Sequence, residues 1–180
     1  MIEDTKDYGD SGLTIQAAML DLFRRFPNKS RRPRFLLWQG LRVTTADSLR
    51  VPELGRVQGE FLASKGPVDQ GFDLDVDGGF QLENGEWVHP LRTWNDPRFQ
   101  SVVEYPFRSK DNLLWVWNVY KMKYSGGQTV EEKWTENAGF WIQEIDKTER
   151  IYHCSHGMAN PPDFECLVLR IKVLPASRDS

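Results

Sequence analysis

A chain of 180 residues with 26 acidic and 23 basic side chains carries a formal charge of −3, without the overall basic balance of a general nucleic-acid binder. Its 39% hydrophobic and 27% charged residues exclude a disordered or fibrous chain, and its length suits one domain with its own core. Seven Trp, ten Phe and five Tyr make a heavy aromatic load.

The opening "MIEDTKDYGDSG" is acidic and polar, unlike a secretory signal, and no later run reaches the roughly 18 apolar residues of a membrane helix. Residues 1–10 lack periodicity and read as a flexible tail, residues 11–175 as a single domain, and residues 176–180 as a second tail. In "SGLTIQAAMLDLFRRF" a helical stripe takes in Leu13, Leu20, Phe23 and Ala17. Ile15, Met19, Leu22 and Phe26 lie beside it, and Pro27 ends the run. The basic stretch from Arg24 to Arg34 follows, readable as a solvated linker or as a patch for an acidic partner.

Beyond residue 34 the pattern changes to short apolar runs separated by Gly, Pro, Asn and Asp. They are "RFLLWQGLRV", "RVQGEFLAS", "GFDLDVD", "GFQLENGEWV", "FQSVVEYPF", "NLLWVWNVYKMKY", "TVEEKWTENAGFWIQEI", "RIYHCSHGM" and "FECLVLRIKVL". About eight to nine strands with one helix exclude a doubly wound sheet. They predict a mainly β, antiparallel barrel, with the N-terminal helix flanking it or capping one mouth. In "LLWVWNVYKMKY" one face carries Leu113, Trp115, Trp117 and Val119, and the other Leu114, Val116, Asn118, Tyr120, Met122 and Tyr124. Both faces are apolar enough to predict cover on both sides.

Three constellations could carry chemistry. In "DLDVDGGFQLEN", Asp73, Asp75, Asp77 and Gly78 match the first half of a calcium loop. Asn84 stands where the bidentate Glu belongs, so a hairpin turning at Gly78-Gly79 with an acidic, solvated face is expected in place of a cation site. In "HCSH", His153 and His156 are three apart and point to opposite faces of a strand, which argues against a shared metal and leaves one inward histidine as ligand-orienting group or base. His89, Arg92, Trp94, Glu104 and Tyr105 place polar groups among rings, as small-molecule sites do, or else form rim ion pairs. Cys154 and Cys166, separated by the turn-like Asn160-Pro161-Pro162, are too few for a disulfide framework and read as free thiols in a reducing, cytoplasmic setting. No phosphate loop, nucleophile elbow or Cys-His signature appears.

The stretch from Phe99 to Pro161 resembles the middle of the nitrobindin-like, fatty-acid-binding-protein-like barrels, through Glu104, Tyr105, Leu114, Glu136, Gly139, Phe140, Thr148 and Ile151. It covers roughly a third of the chain. The family's opening Gly-x-Trp-x-Gly is missing, Trp134 stands in place of a histidine, and Ile142 or Gln143 stands near where an arginine belongs. No histidine follows His156, so the family's haem ligation is not implied. What the resemblance implies is a calycin or lipocalin-like barrel with an internal cavity.

The expected function is therefore binding of a small apolar molecule in a cavity walled by Trp94, Trp115, Trp117, Tyr120, Trp134 and Phe140, with no cofactor and no metal. The alternative is a cofactor-free isomerase, cyclase or dehydratase in the same cavity. Glu104 would be base, His153 or His156 proton carrier and Arg92 electrostatic clamp. A third expectation is a protein-interaction module that pairs the basic Arg24–Arg34 stretch with the acidic Asp73–Asp77 stretch, including self-association.

Overall fold

The computed structural model describes residues 3–177; residues 1, 2 and 178–180 of the two expected tails lie outside the described part. The elements are α1 (Ile15–Arg25), β1 (Leu36–Trp38), β2 (Leu41–Thr44), β3 (Asp47–Arg50), β4 (Leu54–Ser64), β5 (Gln70–Gln81), β6 (Trp87–Val88), β7 (Leu91–Trp94), β8 (Val102–Lys123), β9 (Thr129–Glu132), β10 (Gly139–Glu144), β11 (Glu149–Ser155) and β12 (Leu167–Pro175). They form one 12-stranded antiparallel sheet in the order β1-β2-β10-β11-β12-β4-β8-β5-β6, with β3 and β9 added to β8 and β7 to β5. The mainly β, antiparallel expectation holds; the hydrogen-bonded path does not return on itself, and β1 and β6 are its ends. Among the described residues no helix is long and apolar enough to cross a membrane.

The strand count exceeds the expected one because runs that read as single strands contain turns. Gln39 and Gly40, with φ of 49° and 77°, form the paired left-handed positions of a tight hairpin between β1 and β2. The Asp7 carboxylate braces that hairpin by accepting from the N–H groups of Gly9, Gln39 and Gly40, which hold it below the usual carboxylate range. The run from Thr129 to Ile145 is broken between β9 and β10, where Trp134 and Glu136 take φ of 49° and 52°. Conversely, two expected strands are the single 22-residue β8. Its pairing with β5 jumps from Val76↔Leu114 to Gly78↔Ser109, so Lys110–Asn112 loop out. The expected turn at Gly78-Gly79 is therefore corrected: β5 runs straight through it and turns near Gly85. A Cβ on Gly78 would sit 2.1 Å from the Arg108 carbonyl oxygen, and glycine permits that approach.

Strand alternation sets the inner face. Phe72, Leu74 and Val76 of β5 lie opposite Asn118, Val116 and Leu114 of β8, and all six are buried. Phe80, Phe107, Phe140, Tyr152, Leu169 and Ile171 complete the same core. A second, smaller core forms where Ile15, Ala18 and Leu22 of α1 pack on Leu36, Trp38 and Val43 of β1 and β2, so the helix flanks the sheet. The expected helix stripe is thus displaced: Leu13, Leu20 and Phe23 are 41%, 51% and 39% exposed. Thr14 caps the helix by accepting from the Ala17 N–H.

The expected flexible tail is docked from residue 3 onward. Tyr8 is buried, its hydroxyl donates to Asp21 at 2.7 Å, and Arg25 pairs with Asp4. Arg34, at the end of the basic stretch, pairs with the buried Asp47 of β3.

Candidate functional site

Residues expected to wall one cavity are divided between two faces of the sheet. Tyr120 and Phe140 point inward and are part of the packed interior. Trp115 and Trp117 take the opposite parity of β8 and stack on the outer face, with centroids 6.1 Å apart. Trp134 meets Trp117 edge-on, with the Lys133 ammonium 4.7 and 4.6 Å from the two rings. Trp94 lies under the Lys121 ammonium. Cover on both sides of β8 is corrected as well: α1 packs elsewhere, and Trp115 is 37% exposed.

Nor do the expected catalytic residues converge. Glu104 faces Gln58 across β4 and pairs with Arg56 at 3.0 Å. Arg92 forks onto Asp73 at 2.7 and 2.8 Å and reaches Glu131. His153 lies flat on Trp141, with centroids 3.9 Å apart and planes 3° apart. No hydrogen bond or ion pair joins any two of Glu104, Arg92, His153 and His156 among the described residues. The acidic run is a solvated face only in part: Asp77 is exposed, Asp75 is half-buried and holds His89 at 2.6 Å, and Asp73 is buried between Arg92 and Lys133. Among the described residues no group of three His, Cys, Asp or Glu side chains is placed to hold a metal ion.

His156 is different. It follows the last residue of β11, with the parity opposite to His153, and turns inward to 7% exposure at the end of the sheet. Around it, Asn118 Nδ2 donates to the Ser155 carbonyl at 2.9 Å, and Gln70 Nε2 donates to the Cys166 and Lys65 carbonyls at 2.8 and 3.3 Å. The Tyr120 hydroxyl bonds Thr135 at 2.6 Å. A Cβ on Gly157 would come within 1.9 Å of that hydroxyl, so only glycine lets the chain turn there. Gly66, at φ 94°, brings the β4–β5 loop to the edge of the imidazole. The result is a cleft of about 740 Å³ between that loop and the segment 159–166, lined by Lys65, His156, Pro161, Pro162, Phe164 and Cys166.

The tautomer of His156 follows from its partners. Nδ1 lies 3.1 Å from the Met158 N–H and accepts from it. Burial lowers the pKa of the ring below the ordinary 6.5, against the opposing charge of Asp163. At neutral pH the single proton therefore sits on Nε2, and the ring is a neutral donor whose lone pair is already occupied. That excludes its use as a ready base and suits it to hold a ligand acceptor. At the rim Lys65 and Asp163 pair at 2.8 Å; their hydrogen bond raises the lysine and lowers the carboxyl, so both stay charged. Burial raises the thiol pKa of Cys166, although the His156 amide opposes it, and raises that of Cys154 well above the usual range; neither is an activated nucleophile.

The lowered His156 pKa fixes a pH dependence. The unfolded chain takes up a proton near 6.5 and the folded chain resists it, so stability is lost as pH falls from 6.5 toward the folded value. Urea unfolding compared at about pH 7.5 and pH 5 checks this: His156→Gln is expected to lose less stability on acidification than the parent, and equal losses would contradict the assignment.

A second polar cluster was not anticipated. Asp47, 1% exposed, receives the Tyr152 hydroxyl at 2.7 Å, Arg150 Nη1 at 2.6 Å, and Arg34. Burial, then the charge of Asp47, push the Tyr152 phenol well above its ordinary range, so it stays protonated and donates. The signal available in the chain was parity: Arg150 shares the inward face of β11 with Tyr152 and Cys154.

Comparison with protein-family models, with curated proteins and with solved structures found no match to this chain.

Proposed function

We propose that the protein binds a small molecule with an apolar body and one hydrogen-bond acceptor, held in the cleft over His156. The scaffold would be a barrel of the calycin kind whose open pairing is bridged by the chain itself, since β2 pairs with β10 while β3, after only Thr45 and Ala46, pairs with β8. The observation that carries the proposal is the buried imidazole at the cleft floor, whose Nδ1 accepts from Met158 and whose Nε2 has no hydrogen-bond partner among the described residues. Pro161, Pro162 and Phe164 supply apolar walls, and at roughly 25 cal/mol per Å² the burial of a few hundred Å² of ligand contributes several kcal/mol before the costs of association. Carriage is favoured over isomerase or cyclase chemistry, because the lone pair of His156 is occupied and the neighbouring carboxylate, Asp163, is tied to Lys65.

Native mass spectrometry of the purified protein, followed by saturation-transfer NMR with a panel of apolar ketones, amides and esters, tests the proposal. Any saturable hit is expected to weaken about tenfold in His156→Ala, the loss of one neutral hydrogen bond. Undiminished binding in that variant would rule the proposal out.

A further inference from the structure

We infer that the groove beneath the β10–β11 hairpin is a second binding site, for a small organic anion that presents a carboxylate or phosphate on an apolar body. The groove has a volume of about 980 Å³, in the size range of small-molecule sites, and is bordered by Arg34, Arg50, Lys147 and Arg150, with Leu113 and Ile145 as apolar wall.

Its two inner arginines are pre-positioned. Asp47, on the inward face of β3, takes Arg150 Nη1 on one oxygen and Arg34 on the other, and Arg150 also reaches the Ser48 carbonyl at 3.2 Å. One carboxylate thus orients two guanidiniums and balances the charge of only one. The Arg34 side chain remains 38% exposed and keeps donors for a ligand. Held this way, an arginine loses little further freedom when it grips an oxyanion through two parallel N–H donors.

The outer cations are unopposed. Among the described residues neither Arg50 nor Lys147 has an acidic partner. Of the acids at the groove, Asp146 turns inward on its own loop, accepting from the Thr148 N–H at 2.7 Å and hydroxyl at 2.9 Å. Glu144 lies 3.5 Å from Arg150 Nη2, on a side chain 66% exposed that can swing aside. Arg34, Arg50, Lys147 and Arg150 against Glu144, Asp146 and Asp47 leave the groove one positive charge in excess despite the acidic balance of the chain, and Ile145, 47% exposed, offers apolar contact beside it. This site is separate from the His156 cleft and shares no lining residue with it.

The test is calorimetric titration with phenyl phosphate, benzoate and, as a neutral counterpart, benzyl alcohol. It uses the parent chain, the double variant Arg50→Ser/Lys147→Ser, and His156→Ala. Arg50 and Lys147 are exposed, and among the described residues their side chains have no ion-pair partner; an unchanged urea midpoint verifies that the double variant folds. The expected result is saturable binding of at least one anion, weakened about tenfold in the double variant and by added salt, and unaltered in His156→Ala. Tighter binding of phenyl phosphate assigns phosphate ligands, and tighter binding of benzoate assigns carboxylates. Anion binding no better than that of benzyl alcohol, or undiminished in the double variant, would overturn the inference, as would its loss in His156→Ala.

Discussion

Asp47→Ala is expected to lower the unfolding free energy by about 3–5 kcal/mol, the usual result of removing one partner from a buried charged group. The carboxylate is 1% exposed and is the shared acceptor of Arg34, Arg150 and Tyr152. Without it, the Arg150 guanidinium, whose side chain is only 14% exposed, loses its closest counter-charge, and the Tyr152 hydroxyl loses its acceptor. Tyr152→Phe removes a donor but leaves both arginines on Asp47, so a loss of about 1–2 kcal/mol is expected there. Urea denaturation of the two variants checks the ordering. A loss below about 1 kcal/mol for Asp47→Ala would show that solvent, in place of the carboxylate, satisfies Arg150. The same experiment bears on the anion groove, because Asp47 is what fixes its inner wall.

Phe140→Ala is expected to cost about 3–5 kcal/mol, whereas Trp115→Ala, which removes a larger ring, is expected to cost about 1 kcal/mol or less. Phe140 is 1% exposed and meets Tyr152 edge-to-face at 5.1 Å, in an interior filled by Phe72, Phe80, Phe107 and Tyr152, so deleting its ring opens a void. Trp115 is 37% exposed and gives up one stacked contact with Trp117 on the outer face. Equal losses, or the reverse order, would place the tryptophans in the core and restore an interior walled by them. Chemical denaturation with matched m-values separates these outcomes from a change in the unfolded state.

That contrast also shows where the chain was legible. Period-two alternation and the punctuation by Gly, Pro, Asn and Asp carry the antiparallel sheet, and the compact apolar stretch before Pro27 carries the helix. Alternation does not say which parity of β8 faces inward, because both are apolar. The decision lies in β5, where Phe72, Leu74 and Val76 oppose one parity and Asp73 and Asp75 oppose Trp117 and Trp115. In α1 two adjacent stripes compete, each with one alanine, and the one buried against β1 and β2 is that of Ile15, Ala18 and Leu22, with Met19 and Phe26 packed at its margin. The polar clusters were least accessible. Asp47 and Arg150 are 103 residues apart, and Gln70 and Cys166 are 96 apart, so no local pattern joins them. For His156 the strand parity was readable, and opposite faces for His153 and His156 follow from it; the occupied Nδ1 depends on the turn at Gly157, which alternation does not reveal.

The most direct test of the His156 cleft as the binding site is a fragment screen by NMR on the ¹⁵N-labelled protein, with the imidazole, backbone and indole signals assigned. The account predicts that neutral apolar fragments carrying an acceptor shift the His156 Nε2–H signal and the amides of Gly66, Phe164 and Cys166, and that these shifts saturate together. Fragments that instead perturb the indoles of Trp115, Trp117 and Trp134 while leaving His156 unmoved would contradict it and place recognition on the outer aromatic face.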